Sequence, residues 1–160
     1  GVDVALEAAA HGGMTLLIAG DGPLRASLLR RAAQLGAAVR FLGIVSGAQK
    51  HAALHAADAF ALPSRQLPSG RSEGLPCALL EALAAGLPIA ASRLPGVSQL
   101  LARHAPQHRL VPSDDPAALH AALLALREDS AARRARDPSR HALIAQYGWP
   151  RVGERLAKLL

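Results

Sequence analysis

Two glutamates carry the first chemical signal in this chain. The segment Glu73–Glu81 reads EGLPCALLE, with seven residues between the two carboxylates. From Gly74 to Ser92 the sole formally charged residue is Glu81. Its helical neighbours three and four positions away are Cys77, Ala78, Ala84 and Ala85. An unpaired carboxylate in apolar surroundings costs several kcal/mol, so the pattern calls for a partner. Polyol hydroxyls suit that role, because a carboxylate accepts two hydrogen bonds at once. An arginine such as Arg93, or water, is the plainer alternative. Glu73 stands where a polar loop meets a helix. There it is either a simple cap favoured by the helix dipole or a ligand-binding group at a strand's carboxyl side. The same helix N-terminus can face an anionic diphosphate.

Other reactive residue types are less informative. His51 and His55 are spaced i, i+4 as metal ligands can be, but there is no intervening Glu and no obvious third ligand, so no metal site is expected. His104 and His108 are discounted in the same way. Cys77 beside a helix start reads as a small buried hydrophobe rather than a reactive thiol. The GDGPLR segment is a fragment of a dinucleotide fingerprint and weak as a redox motif. Arg127, Arg133, Arg134, Arg136 and Arg140 read as a solvated helix face, since no nucleic-acid motif accompanies them. Trp149 reads as an anchor for the last helix.

The elements that must position these groups alternate between two periodicities. Helices are expected over 2–10, 23–35, 46–57, 75–85, 116–127, 130–147 and 150–160. Short apolar runs at 14–19, 39–42, 58–62, 88–91 and 109–111 read as strands. In the second helix Leu24, Leu28, Leu29 and Leu35 form the apolar side, and Gly36 suits a C-terminal cap. Ser46 and Gln49 have the spacing of a capping box. Asp114, Asp115 and Pro116 make a strong helix start. The loop at 63–72 is polar and rich in Pro, Ser and Arg. Strands alternating with helices mean βαβ units, hence an α/β fold with a doubly wound parallel sheet and helices on both faces. Ligands bind beyond the carboxyl ends of such strands, at the turns 20–23, 43–46, 63–73 and 92–98.

Composition narrows the classes further. The 160 residues are 51% hydrophobic and 19% charged, which suits one domain with a sizeable aliphatic core. Aromatics are 2%, too few for the stacking platforms of single-strand nucleic-acid binders. One cysteine excludes an internal disulfide framework. The opening stretch is too polar for a secretory signal peptide and lacks a basic lead. Glu81 and the Gly86-Leu87-Pro88 break exclude a membrane span over 74–92.

Taken together, the paired glutamates resemble the signature of retaining GT-B glycosyltransferases, in the large group 1 family (family 4). IAGDGPLR (18–25), FLGIV (41–45), ADAFALPS (57–64), EALAAGLPIAAS (81–92), LVPSDDPAAL (110–119) and YGWPRVGERL (147–156) are similar to the family's successive blocks. The resemblance spans essentially the whole chain. It implies a Rossmann-like, donor-binding C-terminal domain over residues 1–160, with an N-terminal acceptor domain outside this chain. The implied reaction moves a sugar from a nucleotide diphosphate sugar to a glycan or lipid-linked acceptor with retention, as in polysaccharide or lipopolysaccharide synthesis.

The resemblance also assigns roles. Glu73 would meet donor-sugar hydroxyls as the catalytic-site carboxylate, and Glu81 the ribose. Backbone amides from Gly74 through Leu75 to Cys77 would approach sugar and diphosphate, although Pro76 has no N–H. Gly43 and Val45 would lie against the base, with Lys50 nearby. Gly20 and Gly22 would let the backbone approach the nucleotide closely. No tightly bound cofactor or metal is implied. A cytoplasmic location, with peripheral contact at the inner membrane face, follows from the acceptor class. No nucleic-acid partner is expected. Where the family has Gly-Gly-x-x-Glu, this chain has Pro95-Gly96-Val97-Ser98-Gln99. The rivals are a nucleotide-sugar epimerase of the same architecture and a non-catalytic basic nucleic-acid module.

The family's first strand, and the Arg and Lys it uses on the diphosphate, fall ahead of Gly1 in this comparison. With the usual strand order, that strand would lie between the strands at 14–19 and 58–62. Without it the two strands stand about 9–10 Å apart, twice the normal spacing. Three outcomes are open: another segment or another chain fills the slot, the two strands close up in altered order, or the sheet is distorted and the fragment poorly stable.

Overall fold

The computed structural model describes residues 1–70, 72–102 and 108–128, together with residues 145 and 147. Six helices and five strands alternate among the described residues: α1 (Val2–Ala10), β1 (Leu16–Ala19), α2 (Arg25–Leu35), β2 (Val39–Gly43), α3 (Gly47–Ala56), β3 (Phe60–Leu62), α4 (Cys77–Ala84), β4 (Ile89–Ser92), α5 (Pro95–Leu101), β5 (Arg109–Val111) and α6 (Pro116–Glu128). Every strand pairing is parallel, as the βαβ reading requires. The expected helices at 130–147 and 150–160, with Trp149, His104 and the four arginines from Arg133 to Arg140, lie outside the described residues.

Strand β4 organises the core. All four of its residues are buried, because it sits between β3 and β5 and is covered on both faces. Ile89 and Ala91 point into a cluster with Leu79, Ala82 and Leu83 of α4 and Val97, Leu100 and Leu101 of α5. Ala90 points the other way, against Val4, Ala5 and Ala8 of α1 and Leu119, Ala122 and Leu126 of α6. The alternation of side chains along one strand therefore places helices on both faces of the sheet. Leu79, Ile89, Leu119 and Leu126 are fully buried, each contributing about 1.5–3 kcal/mol of transfer free energy. Tyr147 packs against the first cluster.

The sheet is broken in two. β1 pairs with β2, and β3, β4 and β5 form a separate sheet. β1 and β3 do not pair, which excludes the closing-up outcome, and among the described residues no strand lies between them. Both strands instead line one cavity of about 1220 Å³. On the β1 side of this break the packing is thinner. Burial alternates along β1 and β2, and Leu17 is exposed.

Several local expectations need correction. In α2 only Ala32 is buried, while Leu24 and Leu29 are exposed, because the two-stranded sheet offers its apolar stripe little to cover it. Gly36 does cap this helix in the left-handed region, at φ 63°. Ser46 is the N-cap of α3, but its side chain makes no cap bond, so the capping box is not formed. Its carbonyl accepts the Gln49 amide instead. The 92–98 segment, read as a turn, contains the start of α5, with Pro95 in its first turn.

Candidate functional site

The groups singled out in the sequence gather at the carboxyl ends of the strands, as the topology rule requires. β1 ends at Ala19, and Gly20 follows at φ 137°, its amide donating to the Gly43 carbonyl at 2.7 Å. Gly43 closes β2 at φ 68°. Both positions adopt backbone conformations that L side chains rarely take, so glycine is needed there for conformation. At Gly22 a carboxylate has already claimed the amide, Asp21 Oδ1 at 2.7 Å.

Glu81 stands in the middle of α4. Its side chain is 40% exposed, and Lys50 of α3 donates to its Oε1 at 2.6 Å. The partner is therefore Lys50 and not Arg93, whose guanidinium reaches the Leu110 carbonyl at 3.4 Å. The apolar neighbours in sequence do not bury this carboxylate: it opens onto the cavity, and of those neighbours Ala78 lines the cavity with it. Glu73 is exposed in the loop before α4, where the Ser64 hydroxyl donates to its Oε2. It is not the helix cap, since Pro76 holds that position. Ser64 closes the run after β3 and was legible only as part of a polar loop.

Gly20, Val45, Lys50, Glu73 and Glu81 all line the cavity between the two sheets. Gly22, Gly43, Gly74, Leu75 and Cys77 do not. Leu75 packs against the core instead. Cys77 is exposed at the first position of α4, which corrects its reading as a buried hydrophobe. The first amides of α4 have no acceptor within the helix, as at any helix start.

Gly96 was read only as a departure from a pattern, and the structure gives it a reason. A Cβ there would collide with the Gly74 carbonyl oxygen. Its missing side chain lets the start of α5 approach the loop that carries Glu73. No signal in one sequence could have shown this contact.

Basic charge at the cavity is largely committed. Arg65 bridges Asp3 at 3.0 Å and Asp114 at 2.6 Å, and Arg127 donates to the Gly13 carbonyl at 2.7 Å. Burial raises the Asp3 pKa, but the hydrogen bond and charge of Arg65, the N-terminal ammonium and the Val4 amide together outweigh it and leave the carboxyl below its ordinary 3.8. The same partner raises Arg65: the Asp3 hydrogen bond acts first, against desolvation, with both aspartate charges adding to it. With Lys50 held by Glu81, the arrangement offers two carboxylates for hydroxyl groups and one ammonium beside them. Among the described residues no group of three or more His, Cys, Asp or Glu could hold a metal ion, and no helix is long and apolar enough to cross a membrane.

Known proteins resemble this chain in sequence and in fold. The chain is 35% identical over 144 residues to a phosphatidyl-myo-inositol mannosyltransferase of Mycobacterium leprae, covering 90% of this chain and 37% of that protein. It is 34% identical over 153 residues to a glycogen synthase of Mycobacterium tuberculosis, covering 93% of this chain and 35% of that one. The chain thus spans little more than a third of these relatives. Anabaena HepE, solved in complex with UDP and glucose, superposes with a TM-score of 0.82 at 18% identity, covering 99% of this chain and 44% of that one. The family profile described as glycosyl transferases group 1 matches residues 1–129. By sequence match and by fold, the chain belongs to the group 1 glycosyltransferases.

Proposed function

We propose that residues 1–160 form the nucleotide-sugar-binding domain of a retaining GT-B enzyme. In this reading Glu81 accepts hydrogen bonds from the ribose hydroxyls and Glu73 from the donor-sugar hydroxyls. Gly20 lets the backbone approach the nucleotide, and Val45 lies against the base with Lys50 beside it; Gly22, Gly43 and the backbone of Gly74, Leu75 and Cys77, which adjoin these residues and Glu73 in sequence but stand outside the cavity lining, would come to the nucleotide, sugar and diphosphate by their main chain alone. The observation that carries the reading is that both glutamates open onto one cavity at the carboxyl ends of parallel strands. A UDP-bound neighbour of the same fold and a mannosyltransferase relative support a nucleoside diphosphate sugar as donor.

The full enzyme would pass the sugar to a glycan or lipid-linked acceptor held by a second domain. Peripheral contact with a membrane from the cytoplasmic side belongs to the lipid-linked case. The leaving diphosphate would be stabilised by helix N-termini and by basic groups, with no tightly bound metal. Calorimetric titration of the 160-residue chain with UDP, GDP and their hexose sugars tests the reading. Saturable nucleotide binding that is weakened by Glu81→Gln supports it. Salt-dependent DNA binding without nucleotide binding would favour a basic nucleic-acid module and overturn it.

A further inference from the structure

Helix α3 carries a feature that the donor site does not use. The Nε2 atoms of His51 and His55 lie 2.9 Å apart, with ring centroids at 4.3 Å and an edge-on arrangement. Both rings are exposed. In this contact one ring donates its N–H and the other accepts, so the two nitrogens face each other, and loss of that proton frees both to turn to a shared cation. Imidazole nitrogens bound ~2.0–2.1 Å from a divalent ion lie about 2.9 Å apart when the angle at the ion is a right angle, and about 3.3 Å apart when it is tetrahedral. The observed separation is that of an N–H···N hydrogen bond, and a small side-chain adjustment from it reaches either value. Affinity of imidazole nitrogen for divalent ions rises through nickel to copper, and tetragonal Cu(II) and Ni(II) accept two such ligands in cis positions.

We infer that His51 and His55 form a two-point site for a tetragonal divalent cation of the Cu(II) or Ni(II) type, with water completing its coordination. Electrostatics permit this. The charged neighbour in sequence is Lys50, and its ammonium is already met by Glu81. The cation bridges successive turns of a helix that has no buried residue and no side-chain cap bond. Binding therefore stabilises α3, the element that carries Lys50, by mass action on the folded state.

Copper(II) and nickel(II) salts titrated into the 160-residue chain test the inference, read by calorimetry, visible absorption and electron paramagnetic resonance. The expected result is a site with two nitrogen ligands, a raised melting temperature, and affinity in the order copper over nickel and zinc. His51→Gln and His55→Gln should each weaken binding by about ten-fold or more, since one arm of a two-point grip is lost. Both positions are exposed, so both variants should fold as the parent does. His11→Gln with His120→Gln, at the other paired rings, should leave that site intact. Equal binding by the parent and the His51→Gln/His55→Gln variant, or a spectrum with one nitrogen ligand, overturns the inference.

Discussion

Lys50 Nζ stands 2.6 Å from Glu81 Oε1 although 31 positions separate the two residues. One comes from α3 and the other from α4, and the β3 crossover between these helices brings them to the same rim of the cavity. The contact leaves Glu81 Oε2 with spare acceptor capacity for a ligand hydroxyl.

Glu81→Gln should weaken nucleotide binding. An amide presents one acceptor oxygen and loses the charge, and a hydrogen bond to a charged group is typically worth about 1.5–3 kcal/mol. Calorimetry with UDP or GDP on parent and variant measures this. Equal affinities would remove Glu81 from the ribose role. Because Lys50 and Glu81 are both about two-fifths exposed, Lys50→Met should change folding stability by no more than about 1 kcal/mol.

Glu73→Ala should separate the two halves of the donor. Binding of the free nucleoside diphosphate should persist, while the sugar nucleotide loses affinity and a full-length enzyme loses turnover. Ser64→Ala should do the same more mildly, since it removes the hydroxyl that orients Glu73. Normal turnover in the full-length Glu73→Ala enzyme would refute the donor-sugar assignment.

Gly96→Ala should destabilise the domain by about 1–3 kcal/mol, the usual cost of forcing extra atoms into a packed contact. The added methyl must push α5 away from the Gly74 carbonyl. Thermal unfolding reads the stability, and sugar-nucleotide titration reads the displaced Glu73 loop. A melting temperature equal to the parent's would show that this approach is not tight.

Asp3 has a lowered pKa in the fold, so its pairing with Arg65 stabilises the folded state above the unfolded value of about 3.9 and fades as pH falls through the folded value. The pair is partly exposed, so the effect is expected to stay below about 1 kcal/mol. Unfolding of parent and Asp3→Asn should differ at pH 6 and converge as pH falls through the lowered folded value. A difference that does not change with pH would mean that the ion pair is not its source.

Strand edges at the break make a further measurement useful. Groups of β1 and β3 that face the cavity lack ladder partners there, so their amides should exchange faster than those of β4. A five-residue aliphatic strand fused ahead of Gly1, which sits tightly against the Pro63 carbonyl, should slow this exchange and raise the melting temperature. Unchanged exchange at Leu16–Ala19 and Phe60–Leu62 would show that the opening does not accept a strand.

Much of the architecture was legible because it is written locally. Period-two and helical patterns, with Gly36 and the Asp114-Asp115-Pro116 start, placed ten of the eleven described elements to within a few residues. α5 escaped because PGVSQLL is short and begins with proline and glycine, which read locally as a turn. The apolar stripe of α2 misled for the opposite reason. Its spacing was right, but burial depends on whether a partner surface exists, and the two-stranded sheet supplies little.

The sequence by itself determined the alternation of strands and helices, the paired glutamates and the family they resemble, since these depend on residue type and short spacing. The tertiary structure alone decided that Glu81 is answered by Lys50, that Ser64 holds Glu73, that Gly96 makes room for Gly74, and that Cys77 faces solvent. It also decided that the sheet breaks between β1 and β3. Each of these depends on which strand ends and helix faces meet across tens of residues, and local periodicity does not encode such meetings.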